Sequence, residues 1–345
     1  MTAGRAAAGE RRAARLLRWY PAAWRARYGA EFTELLLADF ADQPRSWRRT
    51  ADVARSGLLA RLTGAGLTSH RLEPTGQLRA SLVTMGCALG AFLTFGIAML
   101  AQLATGWQWG TPGSPATTAG MIIMTLAVTG IGLLAMLAGS PVAWLTVVAL
   151  ARNRDRKGGT RGRDRRLARA AWLLLAGGCA LAAGARHFQN SWPGTGGTAG
   201  HHGLLPAGLA AFGWASTLSV SSYWAHPAQL HHFPAAELAW MALSPVALAC
   251  LVAGLAGVVR RLPMPARLLT YLTRLAGAGA LAACCFFAGA ACWVFGQGSG
   301  QAGLFHAGAL DVMGLAVMTL TLVAAVRAAV CAREASGRLP RSPMS

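Results

Sequence analysis

The sequence predicts an all-α fold: a polytopic transmembrane bundle of six crossing helices, with seven possible, preceded by a small N-terminal cytoplasmic helical hairpin. Three observations predict it. Only 13% of the 345 residues are charged while 54% are hydrophobic, against roughly a quarter charged in an average soluble protein. After Arg79 the chain consists of recurring apolar runs, each with the roughly 20 residues needed to cross a hydrocarbon core of about 30 Å. Finally, basic residues crowd some of the segments between these runs and are missing from others, as expected where Lys and Arg collect in short cytoplasmic loops.

The composition shift divides the chain into a cytoplasmic amphipathic helical prefix (1–79), a transmembrane bundle (80–332) and a cytoplasmic tail (333–345). The prefix holds 14 Arg against seven acids. Arg5, Arg11, Arg12, Arg15 and Arg18 open it without an apolar stretch between them, so no cleavable signal peptide is expected and the first crossing directs insertion. Trp24, Tyr28, Phe32, Leu36 and Phe40 then recur every four residues, which is one stripe of a helix and a candidate partner or membrane face. Pro21 suits a first helical position, Glu31, Glu34 and Asp39 lie off the stripe, and Pro44 ends the segment. A second amphipathic helix is expected from about Ser46 to Leu62, with Trp47, Ala51, Ala54 and Leu58 on one side. The two are expected to pair as a hairpin. Residues 21–43 sum to a charge of minus two and residues 45–61 to plus four, so the second helix suits anionic lipid and the first suits a protein.

These residues also carry a resemblance. Leu16-Leu17-Arg18-Trp19-Tyr20-Pro21, followed by Trp24-Arg25-Ala26-Arg27-Tyr28-Gly29-Ala30-Glu31-Phe32, resembles the short prefix found before the membrane part of many actinobacterial multi-pass membrane proteins and of some export-type ABC permeases. The likeness covers about residues 15–60. It implies a membrane-associated, transport-linked role with no catalytic residue. The large external domain that such permeases carry has no counterpart among the connecting segments here.

Crossings are expected at about 80–105, 119–150, 167–186, 236–259, 268–296 and 305–332. The second is over-long, and Gly139, Ser140 and Pro141 offer a place to bend. Small residues at helical spacing suit close packing in lipid: Gly86 with Gly90, Ala253 with Gly257, and Gly277, Gly279 and Ala283. Nine basic residues between Arg152 and Arg169, four between Arg260 and Arg274 and four from Arg327 onward fit one side. Segments 106–118, 187–235 and 297–304 hold no Lys or Arg and fit the other. Arg186 alone is assigned outside, so both termini are cytoplasmic. Residues 203–224 are uncharged and form the alternative seventh crossing; Pro206, Gly208 and Gly213 favour a re-entrant or interfacial hairpin.

The net charge of +20 is therefore topological, and no nucleic-acid partner is expected. Lys157 is the sole Lys among 32 basic residues, a compositional mark of a GC-rich bacterial genome that places the protein in a bacterial plasma membrane. The seven cysteines show no CxxC spacing and read as small packing residues.

Seven of the eight His fall in or beside expected external segments: His187, His201, His202, His226, His231, His232 and His306. Imidazole binds transition metals and titrates between about pH 5 and 8, so these are weak metal candidates. Interfacial His that bond water or backbone are the competing reading. Asp311, six residues into the last expected crossing, is a possible intramembrane polar site, and Glu237 begins the fourth. No phosphate loop, GxSxG motif or paired carboxylates occur. No cofactor is expected, and ATP hydrolysis would need a separate subunit. The expected function is a non-enzymatic, transport- or export-associated membrane component, with the bilayer and a cytoplasmic protein or ATPase subunit as partners. The alternative is a membrane sensor or metal-binding protein using the external His.

Overall fold

The computed structural model describes residues 2–42, 46–68, 73–106, 114–155, 161–188, 213–217, 233–262, 264–296 and 309–338. Every regular element among them is helical. Three helices precede the bundle: α1 (Thr2–Leu17), α2 (Ala22–Asp42) and α3 (Trp47–Gly64). Six longer ones follow: α4 (Pro74–Gly106), α5 (Pro115–Asp155), α6 (Arg161–Phe188), α7 (Ala235–Arg261), α8 (Ala266–Gly296) and α9 (Ala309–Gly337). Each of these six contains a stretch long and apolar enough to cross a membrane. The protein is an all-α, multi-pass integral membrane protein.

Helices are the outcome because the bilayer core offers no water to backbone N–H and C=O groups, so each crossing must satisfy its own. Hydroxyl side chains follow the same rule and bond back to the preceding turn: Thr94 Oγ1 donates to Gly90 O at 2.9 Å, Thr146 Oγ1 to Val142 O at 2.7 Å and Thr273 Oγ1 to Leu269 O at 2.8 Å. The expected place to bend in the second crossing lies inside a continuous element: α5 runs through Pro141 as one helix of 41 residues. At about 1.5 Å per residue that is about 60 Å, twice the hydrocarbon thickness, so this helix tilts in the bilayer or projects beyond it.

Pairing among the six is nested. α4 packs most extensively on α9, α5 on α8 and α6 on α7, so the first crossing meets the last, the second the fifth and the third the fourth. At the end of the bundle nearest the N-terminal module, one core joins all six helices through Leu78, Val142, Leu174, Val258, Leu272 and Ala332. Toward the far end the core divides. Phe92, Met124, Ile131, Phe286 and Met318 hold α4, α5, α8 and α9 together, while Leu181, Ala185 and Leu248 join α6 to α7.

Several glycines lie against the backbone of a facing helix, though not those whose spacing stood out in the sequence. A Cβ at Gly120 of α5 would meet Gly289 O at 2.5 Å and Trp293 N at 2.6 Å. One at Gly177 of α6 would meet Ala247 O and Leu251 N, both at 2.6 Å, and Gly254 of α7 lies against the backbone of Leu174 and Ala170. By contrast Gly86 and Gly277 face nothing within 4 Å among the described residues, and Gly90 is in ordinary contact with Val252. The Gly86–Gly90 pair therefore makes no close helix crossing here. Of the expected small-residue sites, Gly257 sits tightly on Ala170 and Gly279 on the Leu89 side chain.

The N-terminal region differs from the expected two-helix hairpin: its helix packing runs through a third helix, and α2 and α3 meet through side chains such as Phe40 and Arg49. α1 packs on both α2 and α3 and supplies Ala13 and Leu16 to a shared core with Tyr20, Leu36 and Val53. Arginine-rich and lacking a long apolar run, α1 carries no crossing signal; its helicity follows from six alanines and an apolar stripe that finds its partner only in the assembled module.

Gly254→Leu should separate α6 from α7, because its side chain has only backbone to displace; a loss of about 1–3 kcal/mol is expected for overpacking of this kind. Gly86→Ala should change stability by less than about 0.5 kcal/mol. Thermal unfolding of the two variants in one detergent checks the contrast.

Candidate functional site

The N-terminal module is built around an aromatic stack. α1 closes with 3₁₀-type bonds, Trp19 N to Leu16 O at 3.1 Å and Tyr20 N to Leu17 O at 3.0 Å. That turn drops the Tyr20 ring onto Trp24 of α2, stacked at 3.9 Å, with Phe32 edge-on to both at 5.4 Å. Pro21 precedes the helix rather than starting it, and its carbonyl accepts from Arg25 N at 3.0 Å. The four-residue stripe thus serves mainly as internal packing: Leu36 is buried and Trp24, Phe32 and Phe40 are partly buried against the module core.

Phe40 is where the three helices meet. The guanidinium of Arg12 from α1 and that of Arg49 from α3 each lie 5.0 Å from its ring centre, in the geometry of a cation–π contact. Arg49 also pairs with the Asp39 carboxylate and donates to the Asp39 carbonyl at 3.0 Å. Ser46 caps α3 by accepting from Arg49 N at 3.3 Å. At the other end of α3, Arg61 donates to Trp19 O at 2.6 Å and to Arg18 O at 2.5 Å. Gly57 permits that approach, since a Cβ there would meet Trp19 at 2.6 Å.

The module is then fastened to the bundle. Just beyond α3, Ala65 O accepts from Thr84 Oγ1 and Gly66 O from Ser81 Oγ, each at 2.6 Å. Gln77 Nε2 donates to Thr68 O at 3.3 Å. Gly66 has a φ of 73° and lies against Ser81, so both its conformation and its space require glycine. Leu67 packs with Met85, Ala280 and Ala328, joining the linker to α4, α8 and α9. The linker after α3 is therefore bonded directly to the first crossing helix.

What remains open on the module is a shallow groove lined by Trp24, Tyr28, Glu31, Phe32 and Leu35. Leu35 is 65% exposed and Tyr28 38%. Leu35 falls outside the every-fourth-residue pattern, and its role at the groove becomes visible only once Leu36 is seen to turn inward.

At the far end, residues 213–217 form a short helical turn buried against α4, α6 and α7. Trp214 is fully enclosed by Ala98, Met241, Phe188, Phe233 and Trp240, and its Nε1 donates to Phe188 O at 3.0 Å. It fills the gap where the core divides. These five residues belong to the stretch weighed as a seventh crossing; the rest of 203–224 lies outside the described residues.

Of the candidate metal ligands, His187 is exposed and packs edge-on to Phe188 at 4.7 Å. His201, His202, His226, His231 and His232, and also His306, lie outside the described residues. Among the described residues no group of three His, Cys, Asp or Glu could hold a metal ion. Glu237 stands in the first turn of α7. Asp311 is the third residue of α9, and its side chain lies outside the described residues. The chain matches no protein-family model, no curated protein and no solved structure.

Gly66→Ala should strain the linker by about 1–3 kcal/mol, and Ser81→Ala should remove one of its anchors. Faster tryptic cleavage between Arg61 and Arg79 in both variants, with the bundle intact, is the expected outcome.

Proposed function

We propose that the protein is a non-enzymatic membrane component of a transport or export system, and that its N-terminal module, on the cytoplasmic side of a bacterial plasma membrane, receives a cytoplasmic partner such as an ATPase subunit. The observation that carries this reading is the pairing of an open groove with a fastened linker: Tyr28 and Leu35 are exposed beside the partly buried Trp24 and Phe32, while Ser81 and Thr84 tie the same module to α4. A partner seated in the groove would push on a rigid three-helix unit, and the push would reach the first crossing through the bonds at Ala65 and Gly66. Trp and Tyr are among the residue types that dominate binding energy at protein interfaces. The orientation rests on the arginines: Arg260, Arg261, Arg267, Arg274 and Arg333 all belong to the module's end of the bundle, as the charge bias of cytoplasmic segments requires.

Tyr28→Ala combined with Leu35→Glu should leave the inward-facing Leu36 core in place and cost about 2 kcal/mol or more of partner affinity, roughly a thirtyfold loss. Affinity purification after cross-linking in intact membranes reads this out. An ATPase recovered with the wild type and lost with the double variant is the expected result. Equal recovery with both, or recovery of no soluble protein with the wild type, overturns the reading.

A further inference from the structure

α3 carries two apolar faces, and the module uses only one. Val53 and Gly57 are buried in the module, with Ala60 packed beside them. Trp47 is 77% exposed and Leu58 50% exposed, and Ala51 is exposed between them. At about 100° per residue these three fall within about 40° of one another, turned more than about 100° away from Val53. Arg48 and Arg55, both exposed, border this second stripe, and Arg48 lies 5.9 Å from the Trp47 ring. Asp52, the one acid of the helix, lies on a different face, about 100° or more from each of the three.

The position of α3 identifies what covers that stripe. Its C-terminal end is tied to Ser81 and Thr84, and Leu67, three residues beyond the helix, packs beside Met85, Ala280 and Ala328. Arg327, exposed, is the neighbour of Ala328, and Arg274, also exposed, stands about one and a half turns before Ala280. Exposed arginines on otherwise apolar crossing helices mark the boundary between hydrocarbon and water, since charge is expensive any deeper. α3 therefore leaves the bundle at the level of that boundary. A short helix held there, with an outward Trp and Leu bordered by two Arg, matches an anionic lipid surface in both charge and polarity.

We propose that α3 lies on the anionic leaflet at the module's end of the bundle, with Trp47, Ala51 and Leu58 entering the headgroup region and Arg48 and Arg55 meeting lipid phosphates. The module is then held at two points, by hydrogen bonds to α4 and by lipid along α3, while the groove on α2 stays open. This does not depend on the identity of any protein partner.

The test uses the full-length protein in nanodiscs of phosphatidylcholine alone or mixed with phosphatidylglycerol, with hydrogen–deuterium exchange of residues 47–62 read by mass spectrometry. Exchange should be at least about fivefold slower in the anionic discs. Arg48→Gln and Arg55→Gln, both at exposed positions, should each reduce that difference by about fivefold, the effect of one basic residue near an anionic surface. Trp47→Ser with Leu58→Ser should raise exchange in the anionic discs toward the value in phosphatidylcholine. The same exchange rate in both lipids overturns the proposal. So does protection that appears only when soluble cell extract is added, which would assign the stripe to a protein instead.

Discussion

Close approach of helix backbones is the constraint on which the bundle depends. Lipid chains are as apolar as the side chains they surround, so two helices in a bilayer gain little by hiding leucines from it and must gain from contact instead. Contact is best where the Cβ is missing. At Gly120 against Gly289, and at Gly177 and Gly254 against the facing helix, main-chain atoms occupy the space a side chain would need. These glycines lie on two of the three main helix pairs, α5 with α8 and α6 with α7. In the third pair, α4 with α9, glycines face side chains instead: a Cβ at Gly96 would meet Met318 at 3.7 Å and one at Gly314 would meet Phe95 at 3.8 Å.

That arrangement leaves a division in the far half of the molecule. α6 and α7 are joined tightly to each other, with Gly184 of α6 lying under the Trp240 ring of α7. α4, α5, α8 and α9 form a separate apolar core. A wedge is needed between the two groups, and residues 213–217 provide it. Trp214 is large enough to fill the space and finds a carbonyl for its indole N–H at Phe188, which removes the main cost of burying it. Ser216 and Thr217 satisfy themselves against Gly213 O at 2.7 Å and 3.0 Å.

The N-terminal module obeys water-side rules. Its core is small, and it is held as much by arginine as by apolar burial: Arg12 and Arg49 enclose Phe40, and Arg61 joins the end of α3 to the α1–α2 turn. Guanidinium groups suit this work because a planar fork can stack on a ring and donate several bonds at once. The high arginine content of the prefix is thus partly structural. Arg49 and Arg61 bond to other parts of the module, Arg61 from an exposed position, whereas Arg48 and Arg55 border its outer face.

The crossings were legible in the sequence because lipid imposes one simple requirement, roughly 20 apolar residues per span, and all six expected runs coincide with long apolar helices. The Trp24–Phe40 stripe was legible for a similar reason, since period-four spacing can place residues on one face wherever that face finally points. Its destination was not. The same pattern suits a core or a partner surface, and only the arrival of α1 decided that Leu36 turns inward while Tyr28 and Leu35 line a groove. Likewise Gly86 and Gly90 have the spacing of a helix-crossing motif, yet among the described residues neither lies against a facing backbone, whereas Gly120 and Gly289 are 169 positions apart and fit together. Local spacing is written along one helix, but close approach belongs to two, so the sequence by itself determined which segments enter the membrane and the tertiary structure alone decided which of their faces meet.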